Sequence, residues 1–295
     1  FNINGATETH YYTGKSDTES GSISLVANPN TGNFALSVQL EIITTNGTQY
    51  GVWGQRINSS GNIGNTITLH SPGIIGFGGH GLAFSPETNR YLLAIDAGDF
   101  RVTLLDEQLN SLAGLSGFLN TGYPTGKARF PAVAYGRVQG KNRFLVVWVD
   151  EDNTCAANTI SINCPSPDSV WSGIWGSYVD PAGTTFEDGE IGRAFPISKI
   201  IRHYVGVFND TKGPSPSIAY NPNSESFYVV WREQPTFDEN NVENRSHIRA
   251  NRVDYFIPDA EFIAPLDPYD NFILSESTGS CNQTPGVVCE SLENP

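Results

Sequence analysis

The chain has 295 residues, with seventeen Lys and Arg against thirty-one Asp and Glu, a formal net charge of −14 and a pI near 4.7. Such a charge repels phosphate backbones and anionic lipid, and no apolar run approaches the roughly 20 residues of a spanning helix, so neither a nucleic-acid partner nor a transmembrane segment is expected. Thirty Gly and eighteen Pro, with no stretch in which Ala, Leu, Glu and Lys recur at helical spacing, predict an all-β chain dominated by turns. The chain opens on Phe1 and contains no Met, and reads as a mature or trimmed product.

In chain order, short apolar runs bounded by turn residues fall into four groups of four. Ser22–Ala27, Phe34–Val38, Tyr50–Ile57 and Ile67–His70 form the first, and Gly81–Phe84, Tyr91–Ile95, Phe100–Leu105 and Gly117–Asn120 the second. The third is Phe130-Pro-Ala-Val-Ala-Tyr135, Phe144-Leu-Val-Val-Trp148-Val-Asp150, Gly173–Val179 and Ala194–Ser198. The fourth repeats it closely: Pro216-Ser-Ile-Ala-Tyr220, Phe227-Tyr-Val-Val-Trp231-Arg-Glu233, His247–Val253 and Asn271–Ser275. Asn28-Pro-Asn-Thr-Gly32, Ser85-Pro-Glu-Thr-Asn89 and Asn221-Pro-Asn-Ser224 sit between first and second strands, where Pro with Asn or Gly makes a tight reversal.

Each group is therefore a four-stranded meander, with approximate limits 15–72, 73–126, 127–199 and 200–280, followed by a loop at 281–295. Units of roughly 50–85 residues are too long for solenoid coils. A meander cannot bury both faces alone, and packing such units face to face around an axis makes a β-propeller, expected here as one domain over 1–295. The small residues of the first strand suit the crowded axis, and Trp148 and Trp231 are expected in the packing between units.

The pattern P-x-[VI]-A-Y, then F-x-V-V-W-x-[DE], then I-x-G-x-x-V-D-x-x-G resembles a repeat of bacterial secreted and surface-attached β-propeller proteins, closely over Phe130–Ser275 and loosely over Ser22–Gly122. The resemblance implies fold and export and brings no catalytic motif. Asn294-Pro295 is where a further first strand would begin, so two arrangements stay open: a piece of a longer array, or four units closing directly with Phe1–Gly14 adding a strand.

Cys155 with Cys164 and Cys281 with Cys289 are close pairs in polar surroundings without C-x2-C spacing, which predicts two loop-closing disulfides formed outside the cytosol. Sequons at Asn46, Asn58, Asn209, Asn244 and Asn282 carry glycans only in a glycosylating host.

In such a fold the second-to-third and unit-to-unit connections share one end. The long segments Asp150–Trp171, Glu233–His247, Lys199–Ser215 and Glu276–Pro295 all fall there, and loops on a rigid scaffold carry function. Glu41, Asp96, Asp150 and Glu233 end the second strands at roughly equivalent positions, the first two aligned only within a residue. With Asp152, Trp171 and Arg232 they are the candidate ligand-binding residues. As carboxylates around a common mouth they have the chemistry to hold Ca2+, although no D-x-[DN]-x-[DN]-G loop is present, and strand-end Asp and Glu are ordinarily solvated. Trp171 and Trp175 are sugar-stacking candidates, and Trp171 equally suits anchoring its own loop. His80, in Gly78-Gly-His-Gly81, is expected as a hydrogen-bonded residue at a strand start.

Asp180-Pro-Ala-Gly-Thr-Thr-Phe186 departs from the sialidase Asp-box in its Gly spacing, its Phe and its missing Ser. No nucleophile elbow, P-loop or dinucleotide fingerprint occurs. The expectation is an extracellular, non-catalytic binding or structural surface protein, adhesive or self-assembling, whose partners are a glycan, a surface protein or copies of itself. The alternative is a secreted polysaccharide hydrolase or lyase using axial carboxylates, with Asp150 and Glu233 the best pair.

Overall fold

The computed structural model describes residues 23–44, 47–73, 79–96, 100–118, 127–152, 169–183, 194–198, 201–204, 216–233, 247–254 and 272–276. At several strand ends it is the backbone register, without the side chains, that is described. All regular elements among these residues are β-strands, arranged as four antiparallel sheets. The first sheet is β1 (Ile23–Asn28), β2 (Asn33–Thr44), β3 (Gly47–Ile57) and β4 (Ile67–Gly73); the second is β5 (Gly79–Ser85), β6 (Arg90–Asp96), β7 (Phe100–Leu105) and β8 (Ser111–Phe118). The third holds β9 (Lys127–Val138), β10 (Lys141–Asp152), β11 (Ser169–Val179), β12 (Phe195–Pro196) and β13 (Ile201–Tyr204), and the fourth β14 (Ser217–Asn221), β15 (Ser226–Glu233), β16 (His247–Val253) and β17 (Phe272–Glu276). Each sheet is a meander in chain order, as the repeat predicts.

Every second strand between two sheets is apolar on both faces, because each face is covered. In β10 the residues Phe144, Val146 and Trp148 pack toward the second sheet, against Leu92, Ala94 and Val102. The intervening Leu145, Val147 and Val149 pack toward the fourth sheet, against Phe227, Val229 and Trp231. The same division holds in β6, where Tyr91, Leu93 and Ile95 meet Ala35 and Val52 of the first sheet. Period-two alternation thus places one set of side chains in each of two neighbouring cores. The first strands β1, β5, β9 and β14 lie beside one another in series, with no comparable contact between the fourth and first sheets among the described residues.

At this inner edge small residues let backbones approach. A Cβ on Gly81 would stand 3.1 Å from backbone atoms of Ala132 and Val133, and one on Gly136 would stand 2.2 Å from the Tyr220 ring. Tyr220 also donates its hydroxyl hydrogen to the Arg137 carbonyl at 2.9 Å.

First-to-second turns form at the expected places, with left-handed φ at Gly32 (71°), Asn89 (54°), Gly140 (76°) and Glu225 (44°). They are bonded to one another from sheet to sheet. The Asn30 amide donates to the Pro86 carbonyl at 2.6 Å and to Asn89 Oδ1 at 2.8 Å, the Asn142 amide donates to Glu87, and Arg137 pairs with Glu225 at 4.0 Å. Arg90 reaches the carbonyls of Pro181 and Gly183, in the turn that follows β11, at 3.2 and 3.1 Å.

Two departures from the sequence reading concern the third sheet. Its second and third strands extend to Asp152 and back to Ser169, into a stretch expected as loop. Its fourth strand is broken at Ile197 and Ser198, which both bond the Ile174 carbonyl, and resumes as Ile201–Tyr204 beside Ser169–Ser172, within a segment expected to connect units. In β9, Phe130 and Pro131 together face Trp148, a bulge that accommodates the missing Pro N–H and carries Phe130 at φ 55°.

Trp148 is fully buried and its indole N–H has no partner. Truncation to Ala should cost about 3–5 kcal/mol in urea unfolding, whereas Trp148→Phe, which also removes the unpaired donor, should cost far less. Gly136→Ala should destabilise by about 1–3 kcal/mol, and the penalty should shrink when Tyr220 is also replaced by Ser, as a double-mutant cycle reads directly.

Candidate binding face

The turns described above occupy one end of the sheets. At the other end stand the second-strand termini, where β10 and β15 end and β11 and β16 begin. The cross-strand aromatic pairs Phe84–Tyr91, Tyr135–Phe144 and Tyr220–Phe227 occupy one register position in the second, third and fourth sheets. Counted from that position, Asp150 and Glu233 are equivalent, both six residues along the second strand. Asp96 stands one residue earlier and Glu41, counted from Phe34, one residue later. A one-residue offset turns a side chain to the opposite face of its sheet. Asp96 accordingly shares the parity of Leu92 and Ala94 and is only 6% exposed.

The extended end of the third sheet brings together residues that the sequence separates widely. Asp152 is the cross-strand partner of Trp171, and Trp171 in turn of Arg202, so the three residues share one rung of the backbone register across three adjacent strands. The rung below pairs Glu151 with Lys127 on one side and Ser172 on the other. In the fourth sheet Glu233 pairs with His247, and His247 with Glu276; Arg232 pairs with Ile248 on the preceding rung. Arg202, His247 and Glu276 did not emerge as candidates from sequence. For Arg202 the available signal was Ile200-Ile-Arg-His-Tyr204, a run rich enough in β-branched and aromatic residues for a short strand.

Trp175 packs against the core between the second and third sheets and is a structural residue. The four cysteines, and the sequons at Asn46, Asn209, Asn244 and Asn282, lie outside the described residues. Asn58 is exposed in the turn after β3, where its side-chain oxygen accepts the backbone N–H of Ser60 at 3.0 Å and of Asn62 at 2.8 Å. Among the described residues no group of three or more His, Cys, Asp or Glu is arranged to hold a metal ion, and no helix is long and apolar enough to cross a membrane.

His80 is the second residue of β5 and is buried against the first sheet, its Nε2 2.8 Å from Ser37 Oγ. Burial lowers its pKa from 6.5 to about 4, opposed in part by hydrogen bonding to Ser37. The folded chain therefore keeps this ring neutral where the unfolded chain protonates it. Between these two values the unfolded state binds more protons, so stability is full above pH 6.5 and falls as the pH drops toward 4. The loss across that window is about 3 kcal/mol. His80→Gln should flatten this part of the acid-stability curve, measured as melting temperature against pH for both proteins.

No protein-family model and no curated protein matches the sequence. Among solved structures, an α-L-arabinofuranosidase from Podospora anserina, solved with cellotriose, aligns at 8% identity over 84% of this chain and 68% of its own, with a TM-score of 0.42. An acylaminoacyl peptidase from Pyrococcus horikoshii aligns at 10% identity over 79% of this chain and 31% of its own, with a TM-score of 0.37. The Dos1 propeller aligns at 12% identity over 79% and 70%, with a TM-score of 0.31. Likeness at this level carries no argument about reaction or ligand, which rests on the residues of this chain.

Proposed function

We propose that the chain is a secreted, non-catalytic binding module of the bacterial β-propeller type, and that it recognises a glycan at the extended end of its third sheet. The observation that carries this reading is the rung Asp152–Trp171–Arg202. Sugars are recognised by an aromatic plate under their C–H faces and by charged or polar groups bonding their hydroxyls, and three adjacent strands carry residues of both kinds at one register position. The bonded turns at the opposite end support the reading, since they hold the sheets together without constraining this end. The propeller arrangement is supported by the serial contact of the four first strands. Export rests on the spacing of the four cysteines and on the repeat pattern.

The hydrolase or lyase alternative draws on one observation, the equivalent positions of Asp150 and Glu233 on neighbouring sheets. Sheets packed face to face sit about 10 Å apart, which puts such a pair near the roughly 5–9 Å that glycosidic hydrolysis requires.

A glycan array followed by calorimetry on the best ligand tests the main reading. Trp171→Ala should weaken binding by about tenfold or more without changing the melting temperature, in line with the loss of a central aromatic contact. Binding indifferent to Trp171, together with turnover of a polysaccharide that Asp150→Asn and Glu233→Gln abolish, would decide for the enzyme.

A further inference from the structure

The turn end of the first sheet differs in charge from that of the other three. The residue that follows the third strand is Asp106, Asp180 and Asp254 in the second, third and fourth sheets, and Asn58 in the first. No Asp, Glu, Lys or Arg occurs in Ala27–Phe34 or in Ile57–Thr66, the two segments that build this corner, in a chain of net charge −14.

Apolar side chains stand in the open there. Phe34 and Ile57 are cross-strand partners, and Ile57 bridges to Ile63. The three form one row on one face, two strand spacings or about 10 Å long. Phe34 is 39% and Ile63 66% exposed, with Ile57 half-buried between them. Further along the same face Val38, Leu40 and Trp53 are buried, so the open area is confined to the turn end. The corresponding pair of the second sheet, Tyr91 and Leu105, is buried in the core against the first sheet.

Each member of the row has an asparagine beside it on the turn side: Asn33 precedes Phe34, Asn58 follows Ile57 and Asn62 precedes Ile63. Asn33 Oδ1 accepts the Ser59 N–H at 3.1 Å, which ties the turn after β1 to the turn after β3. Asn58 Oδ1 accepts the N–H groups of Ser60 and Asn62 at 3.0 and 2.8 Å, and the Asn58 N–H donates to the Asn62 carbonyl at 2.9 Å. The side-chain oxygens of Asn33 and Asn58 are thus committed to the backbone. Among the described residues their amide hydrogens have no partner, and Asn58 and Asn62 are exposed.

An apolar strip edged by amide donors suits the C–H faces and the hydroxyl oxygens of a sugar chain, and its length suits two pyranose rings. The bonded turns fix the donors before any ligand arrives, which lowers the ordering cost of binding. A charged partner meets no complementary charge at this corner. We propose that the corner is a second binding site, for an uncharged polysaccharide, with Phe34, Ile57 and Ile63 as its apolar strip and Asn33, Asn58 and Asn62 as its donors. It lies at the end of the sheets opposite the Asp152–Trp171–Arg202 rung and does not depend on the ligand proposed there.

Affinity electrophoresis of the Trp171→Ala chain tests this, with the protein made in a host that does not N-glycosylate, so that neither the third-sheet rung nor a glycan on Asn58 contributes. Mobility should fall in gels containing at least one of a neutral glucan, mannan or galactan and stay unchanged in alginate. The retardation should be indifferent to added salt, because no charge takes part. Adding Asn58→Asp keeps an oxygen for the N–H groups of the turn, as Asp106 accepts those of Gln108 and Asn110 at 2.8 Å, but replaces the donor with a charge. It should leave the melting temperature unchanged and weaken binding by about tenfold or more. Ile63→Asp, at an exposed position, should do the same through the apolar strip. The proposal is overturned if the Trp171→Ala chain runs freely in all three neutral polysaccharides, if alginate retards it equally, or if Asn58→Asp and Ile63→Asp stay fully retarded. Retardation of the unaltered chain that Trp171→Ala abolishes would assign binding to the third-sheet rung alone, and so overturn this site while upholding that one.

Discussion

The packing of one meander on the next is the constraint from which the rest of this structure follows. A strand buried on both faces has no polar side to offer, so β6 and β10 are apolar continuously through Tyr91–Ile95 and Phe144–Val149, and each strand serves two cores at once. It also explains the small residues at the inner edge. Gly81 and Gly136 stand where the next first strand or the Tyr220 ring comes so near that a Cβ would collide. Even the polar interior obeys it: Asn251, in the register position held by Ser177 and Thr103 in the preceding sheets, donates to the Ile197 carbonyl of the neighbouring sheet at 2.6 Å. A half-buried amide there is satisfied because the break in the fourth strand of the third sheet presents an acceptor.

Much of this is legible in sequence, for reasons that particular residues make plain. Repetition of Phe-x-Val-Val-Trp identifies equivalent strands, and Asn-Pro-Asn or Ser-Pro-Glu identifies the reversals, because turn chemistry is local. What is not legible is local irregularity that depends on a partner strand. Ile201–Tyr204 is a strand because β11 is long enough to pair with it, and β11 is long because β10 runs on to Asp152. No pattern within 199–215 announces that dependence. The Phe130–Pro131 bulge is of the same kind, since Pro131 reads as a strand start until Lys127–Arg129 are seen paired beyond it.

The candidate face shows the same limit. Asp152 and Trp171 are proposed from sequence for separate reasons, and their adjacency on one rung, with Arg202 beside them, is a property of pairing between distant segments. Equivalence of Asp150 and Glu233 follows from the repeat. The one-residue displacement of Asp96 is also countable in sequence, but its burial beside the Leu92 and Ala94 face is not. His80 is the converse case, where the ordinary expectation of a hydrogen-bonded strand residue matches the Ser37 contact.

The turn-to-turn bonds run only between successive sheets, from Asn30 to Pro86, from Glu87 to Asn142 and from Arg137 to Tyr220 and Glu225. No described bond of this set skips a neighbour. Cooperativity among the described sheets is therefore nearest-neighbour in range: the second and third sheets are each held by the one before and the one after. A lineage built this way can gain or lose a meander at either end without redesigning the middle.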